Sequence, residues 1–240
     1  MIFNRKQLQE KLNILAKAYN PKTPMPSLQF IKFDNDTLTV SDNNVTIIID
    51  FESNIQALIP FKQLYDIVNK LTADELDLVI NNNQAIIKCG RSRFTLNLGV
   101  FNEFPMLLVD LHDEGIKIDC NEFINVISNV VYACSKEEKR PILTGINFNE
   151  YAVATDSYRL ARINKNLGLN CVISYNDISN LISILKNYND VRIRNNKNKA
   201  TFEFEDGIYE TRLLDGNYPD TSKLIVKDYS YSIKVHKQTL

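Results

Sequence analysis

The side chains able to do chemistry in this 240-residue chain are carboxylates, hydroxyls, four thiols and two imidazoles. Three carboxylate groups stand close enough in sequence for metal binding or acid–base work: Asp34/Asp36, Asp74/Glu75/Asp77 and Glu203/Glu205/Asp206. Each has a plainer reading. Asp34-Asn35-Asp36 is a turn sequence, and the second group caps a helix-to-strand connection. Glu203 and Glu205 alternate with Phe202 and Phe204, as on one exposed strand face. None has a His or Cys nearby, and Ser92 and Ser157 lack a neighbouring His to act as base. His112 and His236 lie far apart, and Cys89, Cys120, Cys134 and Cys171 contain no C-x-x-C, so the spacing of a zinc site is missing. The expectation is a chain with no catalytic residues, no metal and no cofactor: not an enzyme.

The seven glycines stand at 90, 99, 115, 145, 168, 207 and 216, with no G-x-G and no G-x-x-x-x-G-K. Phosphate-cradling loops need that spacing, because only glycine lets backbone N–H groups approach the phosphates; the spacing excludes Rossmann and P-loop nucleotide sites. Lys+Arg total 28 against 29 Asp+Glu, so net charge draws the chain to no partner, although a local basic patch remains open. A 44% hydrophobic and 24% charged composition is that of a globular protein, and the length suits one large domain or two ordinary ones. No signal peptide and no 18-residue apolar run is present. Scattered thiols fit a reducing compartment, so the expectation is a cytoplasmic protein with no membrane partner.

The elements that must position any site repeat along the chain. Phe3–Leu12 aligns with Ile118–Ile127, so that Leu8, Leu12 and Leu15 fall on Phe123, Ile127 and Val130. Both stretches carry apolar residues at i, i+4 and i+7, the period of an amphipathic helix, and Asn4 and Asn121 are the expected caps. Ile59–Leu71 matches Ile173–Leu185 as a second helix, Asp77-Leu-Val-Ile matches Asp190-Val-Arg-Ile as a strand, and both halves close alike on Glu103-Phe-Pro105 and Asn217-Tyr-Pro219. Pairs such as Leu28/Phe30, Leu38/Val40, Val45/Ile47/Ile49, Phe94/Leu96/Leu98, Ile146/Phe148 and Phe202/Phe204 alternate at period two, with Asn- and Asp-rich turns between them. Short strands joined by tight turns favour antiparallel sheet. The pattern predicts an α+β fold of two repeats, each with two helices packed on antiparallel sheets. Domain limits of 1–114 and 115–228 follow, and residues 229–240 read as the start of a third repeat.

Five segments resemble a known family, the bacterial DNA polymerase III β subunit, or sliding clamp. They are Gly90-Arg-Ser-Arg-Phe94, Glu103-Phe-Pro105, Arg140-Pro-Ile-Leu-Thr-Gly-Ile146, Ala154-Thr-Asp-Ser-Tyr-Arg-Leu-Ala161 and Leu214-Asp-Gly-Asn-Tyr-Pro-Asp220. The resemblance runs over the whole chain and implies the DNA clamp fold. It also implies a processivity factor that encircles double-stranded DNA without reading sequence and tethers the replicative polymerase. Implied partners are the DNA polymerase III alpha subunit and the clamp loader, both through short linear motifs, and further copies joined head-to-tail into a ring, a homodimer if the subunit is full-length. With two domains here, the expectation is a fragment of a three-domain subunit, the alternative being a short homologue that builds six domains from three chains. A second functional reading is a clamp-like adaptor that binds linear motifs without encircling DNA.

By the same resemblance Lys22, Lys136, Lys139 and Arg140 stand in loops that touch DNA, while Lys11 and Lys17 are candidates for the helix faces lining the hole. Lys22 stands where the family often carries Arg. Pro141 and Ile142 replace aromatic residues found there in some clamps, and Glu137 and Glu138 dilute the positive charge. The implied peptide pocket comprises Leu143, Thr155, Ser157, Tyr158, Arg159, Leu160, Pro219 and Leu224. Aliphatic walls would bury the apolar residue of a motif, and a Thr, Tyr and Arg rim would orient its backbone.

Overall fold

Asn4 opens the first helix. In the computed structural model, which describes residues 1–107, 109, 111, 113–137, 139–225, 228 and 230–236, its side chain accepts the Gln7 N–H, capping α1 (Arg5–Leu15). Strand β1 (Ile2–Asn4) leads into this helix, and β2 (Phe30–Asp34), β3 (Thr37–Ser41), β4 (Val45–Asp50) and β5 (Gln56–Pro60) follow it. Next come α2 (Phe61–Lys70), β6 (Glu75–Asn81), β7 (Gln84–Cys89) and β8 (Ser92–Asn97). The second half repeats the order: β9 (Ile116–Asp119), α3 (Cys120–Ser128), β10 (Gly145–Phe148), β11 (Ala152–Thr155), β12 (Leu160–Ile163), β13 (Cys171–Ser174), α4 (Tyr175–Leu185), β14 (Asp190–Asn195), β15 (Lys199–Phe204) and β16 (Gly207–Arg212).

The repeat is real in space, with two corrections to the expected details. The cap of α3 is Asp119, which accepts the Glu122 N–H; Asn121 is the second residue inside the helix, past the N-cap position. The strand match is also shifted by two residues. Asn4 pairs with Glu75 and Asp119 with Asp190, so Glu75 and not Asp77 is the counterpart of Asp190. A two-residue slip keeps every side chain on its face, which is why apolar alternation alone did not expose it. Leu28 lies in a 3-10 turn rather than a strand, and Leu98 falls just beyond β8. Glu138 and residues 237–240, expected in the basic loop and in a third repeat, lie outside the described residues.

Asparagine does much of the turn work that glycine usually does. Asn35, Asn43, Asn54 and Asn82 all have φ between +50° and +76°, a region that Asn tolerates better than other side chains. Leu8, Leu12 and Leu15 of α1, Leu64 and Val68 of α2, Phe123 and Ile127 of α3, and Ile178, Leu181 and Leu185 of α4 are buried in one cluster shared by both halves.

Two four-stranded sheets, β1-β6-β7-β8 and β12-β11-β10-β13, flank an eight-stranded sheet ordered β5-β2-β3-β4-β16-β15-β14-β9. That sheet is continuous because β4 of the first half pairs antiparallel with β16 of the second, Val45 to Ile49 against Thr211 to Gly207. A Cβ on Gly207 would lie 2.6 Å from the Ile48 carbonyl oxygen, so only glycine fits there. Lys11 pairs with Asp206 across this joint, and the Tyr188 hydroxyl donates to the same carboxylate at 2.6 Å. Deeper in, Asp177 accepts from Asn44 Nδ2 at 3.1 Å and from Thr211 Oγ1 at 2.9 Å, and no cation pairs with it among the described residues. Desolvation raises its pKa despite those hydrogen bonds and that of Ser174. Its charged form is therefore disfavoured in the folded state, and the stability it contributes is lost as pH rises through its folded pKa. Asp177→Asn keeps an acceptor for both donors and removes the buried charge. The variant should melt above wild type at neutral pH, with the gain vanishing below about pH 4, where the wild-type carboxyl is also neutral; thermal melts across that range check the sign.

Candidate functional site

The chain segment 154–161 turns sharply between β11 and β12. Asp156 Oδ1 accepts the backbone N–H groups of Tyr158 and Arg159 at 3.0 and 2.9 Å, and its other oxygen meets Arg159 Nε at 3.0 Å. These backbone donors, with the Arg159 charge, hold the Asp156 carboxyl below the usual range. Thr155 Oγ1 accepts from Ser157 N at 3.1 Å and donates to the Arg159 carbonyl at 2.7 Å. Ser157 is thereby held at φ +79°, a left-handed conformation that costs a serine energy unless its surroundings enforce it. Tyr158 is lifted clear, 99% exposed.

The loop after α3 faces this turn. Arg140 Nη1 reaches Ser157 Oγ at 3.4 Å, and behind it the 3-10 turn Pro141–Thr144 buries Leu143 to 2% exposure. Between the two segments lies a cleft of about 440 Å³. Its walls bring together Lys136, Lys139, Arg140, Leu143, Ser157, Tyr158 and Arg159, which the sequence had assigned to two separate sites. Glu137 lies 3.9 Å from Lys139 at the rim. Cys134 forms part of the wall, but burial pushes its thiol up to about 12, so it serves as apolar surface rather than as a nucleophile.

The other expected residues lie elsewhere. Thr155 is buried and acts through the turn; Leu160 begins β12; Pro219 is exposed, and Leu224, at the end of the 3-10 turn Ser222–Leu224, is 66% exposed. None of these four lines the cleft. Lys22 is exposed in the loop after α1, the repeat equivalent of the Lys136–Arg140 loop. Lys17 is exposed as well, while Lys11 is largely buried and committed to Asp206. Lys62 is tied to Asp66 at 2.7 Å, whereas Lys6, Lys17, Lys22 and Lys70 have no carboxylate within ion-pair distance among the described residues.

Two contributors went unassigned at the sequence level, although both sit in the matched segments. Asp156 builds the turn, and Tyr218 accepts the Thr155 N–H through its hydroxyl at 3.1 Å, anchoring the turn to the 214–220 segment. Burial raises the Tyr218 pKa, so the phenol stays neutral.

Residues 1–108 match the model of the DNA polymerase III beta subunit N-terminal domain, and residues 117–220 match that of its central domain. This chain belongs to the DNA polymerase III beta subunit family. It is 30% identical to the beta sliding clamps of Staphylococcus aureus and Staphylococcus epidermidis, in each case over 94% of this chain and 67% of the relative. Among solved structures it superposes on the sliding clamp of Bacillus subtilis with a TM-score of 0.85 at 29% identity, covering 95% of this chain and 67% of that one. The beta subunit of Streptococcus pyogenes, at 24% identity, shares the fold with a TM-score of 0.87 over 95% of this chain and 68% of its own. The chain thus spans about two thirds of these clamps.

Thr155→Val keeps the shape of the turn anchor and removes its hydroxyl. The Ser157 N–H then loses its acceptor, and the loss should cost about 1–3 kcal/mol, read as a lower urea midpoint at an unchanged m-value.

Proposed function

We propose that this chain works as a sliding clamp, a processivity factor that surrounds duplex DNA and tethers a replicative polymerase, and that it does no chemistry of its own. The observation that carries the reading is the joining of two family-matched halves by one unbroken eight-stranded sheet. Such a joint fixes one clamp unit rigidly against the next, as a ring segment requires. In this reading residues 1–114 and 115–228 are the two clamp units, and head-to-tail association completes the ring.

Holding DNA topologically while sliding requires contacts that are weak, exchangeable and directed at phosphates. Lys22, Lys136, Lys139 and Arg140 suit such contacts, because they are exposed on equivalent loops of the two halves and none is drawn into a close ion pair. Lys17 adds to them. Lys11 contributes by holding the joint, because its charge is already neutralised by Asp206. The exposed positions of α3 are Asn121, Glu122, Asn125 and Ser128, so the grip is concentrated on the loops.

The cleft suits a short peptide of the polymerase or clamp loader. Leu143 offers an apolar floor, Tyr158 an exposed aromatic edge, and Arg140 and Arg159 donors for the peptide backbone or its carboxylates. Thr155 keeps the turn in shape, and Leu160, Pro219 and Leu224 stand outside the cleft walls. Among the described residues no helix is long and apolar enough to cross a membrane; a cytoplasmic location belongs to the same proposal.

The test of the ring is topological. Loaded protein should stay on closed circular DNA and leave when the circle is cut, whereas an adaptor or an ordinary DNA binder should ignore linearisation. Arg140→Glu and Lys22→Glu should each reduce retention several-fold with an unchanged melting temperature. For the cleft, Leu143→Ala with Tyr158→Ala should weaken binding of a fluorescent polymerase-tail peptide by tenfold or more in an anisotropy titration. An unchanged affinity would remove the cleft from the assignment.

A further inference from the structure

The connection that carries the chain from the first half into the second is tied down at its end. Arg194 Nε donates to the Asp113 carbonyl at 2.8 Å and lies 3.2 Å from Asp113 Oδ1, while Arg192 Nη1 donates to the Glu114 carbonyl at 2.6 Å. Glu203 yokes the two arginines. Its Oε2 accepts from Arg194 Nη1 at 2.7 Å and lies 3.9 Å from Arg192 Nε. Arg192 and Glu203 stand opposite each other in the β14–β15 ladder, and Arg194 follows two residues along on the same face. A carboxylate close enough to its neighbours in sequence for metal or acid–base work is thus a partner for two cations.

Gly115 completes the tie. Its N–H donates to Asp113 Oδ1 at 3.0 Å, and its φ is +60°. A Cβ there would lie 2.8 Å from Arg194 Cγ and 2.9 Å from the Ile193 carbonyl oxygen, so the backbone runs flush against β14. The next residues form β9, with Ile116 opposite Ile193 and Ile118 opposite Val191. Among the described residues β9 pairs only with β14 in the ladders, and it is four residues long. A short strand with one partner opens at low cost. Yet β9 delivers Asp119, the cap of α3, and the following Cys120 N–H donates to the Asn189 carbonyl at 2.7 Å.

Arginine suits this task. Its planar fork presents several N–H donors at once, so the Arg194 side chain reaches the Asp113 carbonyl and the Glu203 carboxylate together. Only 10% of that side chain is exposed, a burial that a guanidinium tolerates when its charge is matched. Two of the grips fall on backbone carbonyls, so they fix the path of the chain itself.

We propose that residues 113–115 are a releasable strap, gripped by Arg192 and Arg194 through their shared anchor Glu203, that keeps β9 and the cap of α3 seated. Release of the strap is the local opening that precedes loss of the second half, and while the strap is held the connection between the halves is closed to proteolysis. The proposal is independent of the clamp reading, and it needs neither DNA nor peptide to be tested.

Limited digestion of the 240-residue chain with a Glu-specific endoprotease reads it directly, because one cleavable bond, Glu114–Gly115, lies within the strap. The internal control is Glu150, exposed in the turn between β10 and β11. A protease samples the open population of each segment, so the ratio of the two cleavage rates, followed by fragment mass, reports strap opening alone. Arg192→Gln and Arg194→Gln should each raise cleavage after Glu114 several-fold and leave cleavage after Glu150 unchanged. Arg192→Lys and Arg194→Lys keep the charge and the fold but lose the fork, and each should give a smaller rise at the same bond. Melting temperatures confirm that each variant is folded. Wild-type rates after Glu114 in the folded variants would overturn the proposal. So would an equal rise after Glu150, which would mark a general loosening of the fold.

Discussion

Everything else in the molecule hangs on the β4–β16 ladder. It turns two separate half-sheets into one of eight strands and so makes the orientation of the halves a matter of backbone hydrogen bonding rather than of a flexible connection. The register is specified on both sides. Gly207 lets the strands approach, Tyr209 is buried against Ile47 and donates to the Asp177 carbonyl, and Lys11 meets Asp206 at the edge. A slip of one residue would turn Tyr209 and Ile47 to the wrong face. The single buried cluster running through both halves is a consequence of this ladder.

The joint uses polar groups where an all-apolar contact would have served. Asp177 is costly there, since burial disfavours its charge and only neutral donors reach it. Its Asn44 and Thr211 partners come from the two sides of the ladder, so the carboxylate reports correct pairing of one half with the other. Specificity of docking is a sufficient physical role for a group that adds little stability.

The cleft depends on a comparably small set of hydrogen bonds. One carboxylate, Asp156, and one hydroxyl, Thr155, hold the 155–159 turn, and Tyr218 fastens it from the distant 214–220 segment. A strained serine and a fully exposed tyrosine persist because these small groups over-determine the backbone. Arg140 then links the turn to the loop after α3, which makes the basic loop and the apolar floor parts of one surface.

The sequence by itself determined the local elements and their repetition. Four amphipathic helices, the alternating strands and the Asn-rich turns follow from periods of 3.6 and 2 and from backbone preferences, which act over a few residues. The matched segments also carried the family and most of the residues around the cleft. What needed tertiary structure was every choice between partners distant in the chain. Asp119 rather than Asn121 caps α3 because β9 pairs with β14 and brings Asp119 to the helix start. Lys11 is an ion-pair partner and not a free cation because Asp206, 195 residues away, is folded against it. Strand pairing across the joint left no trace in periodicity, since hydrogen bonds between backbones are blind to side-chain pattern beyond its parity. The separation of basic loop from peptide pocket dissolved for the same reason: the two segments touch only once both are set on the same sheet.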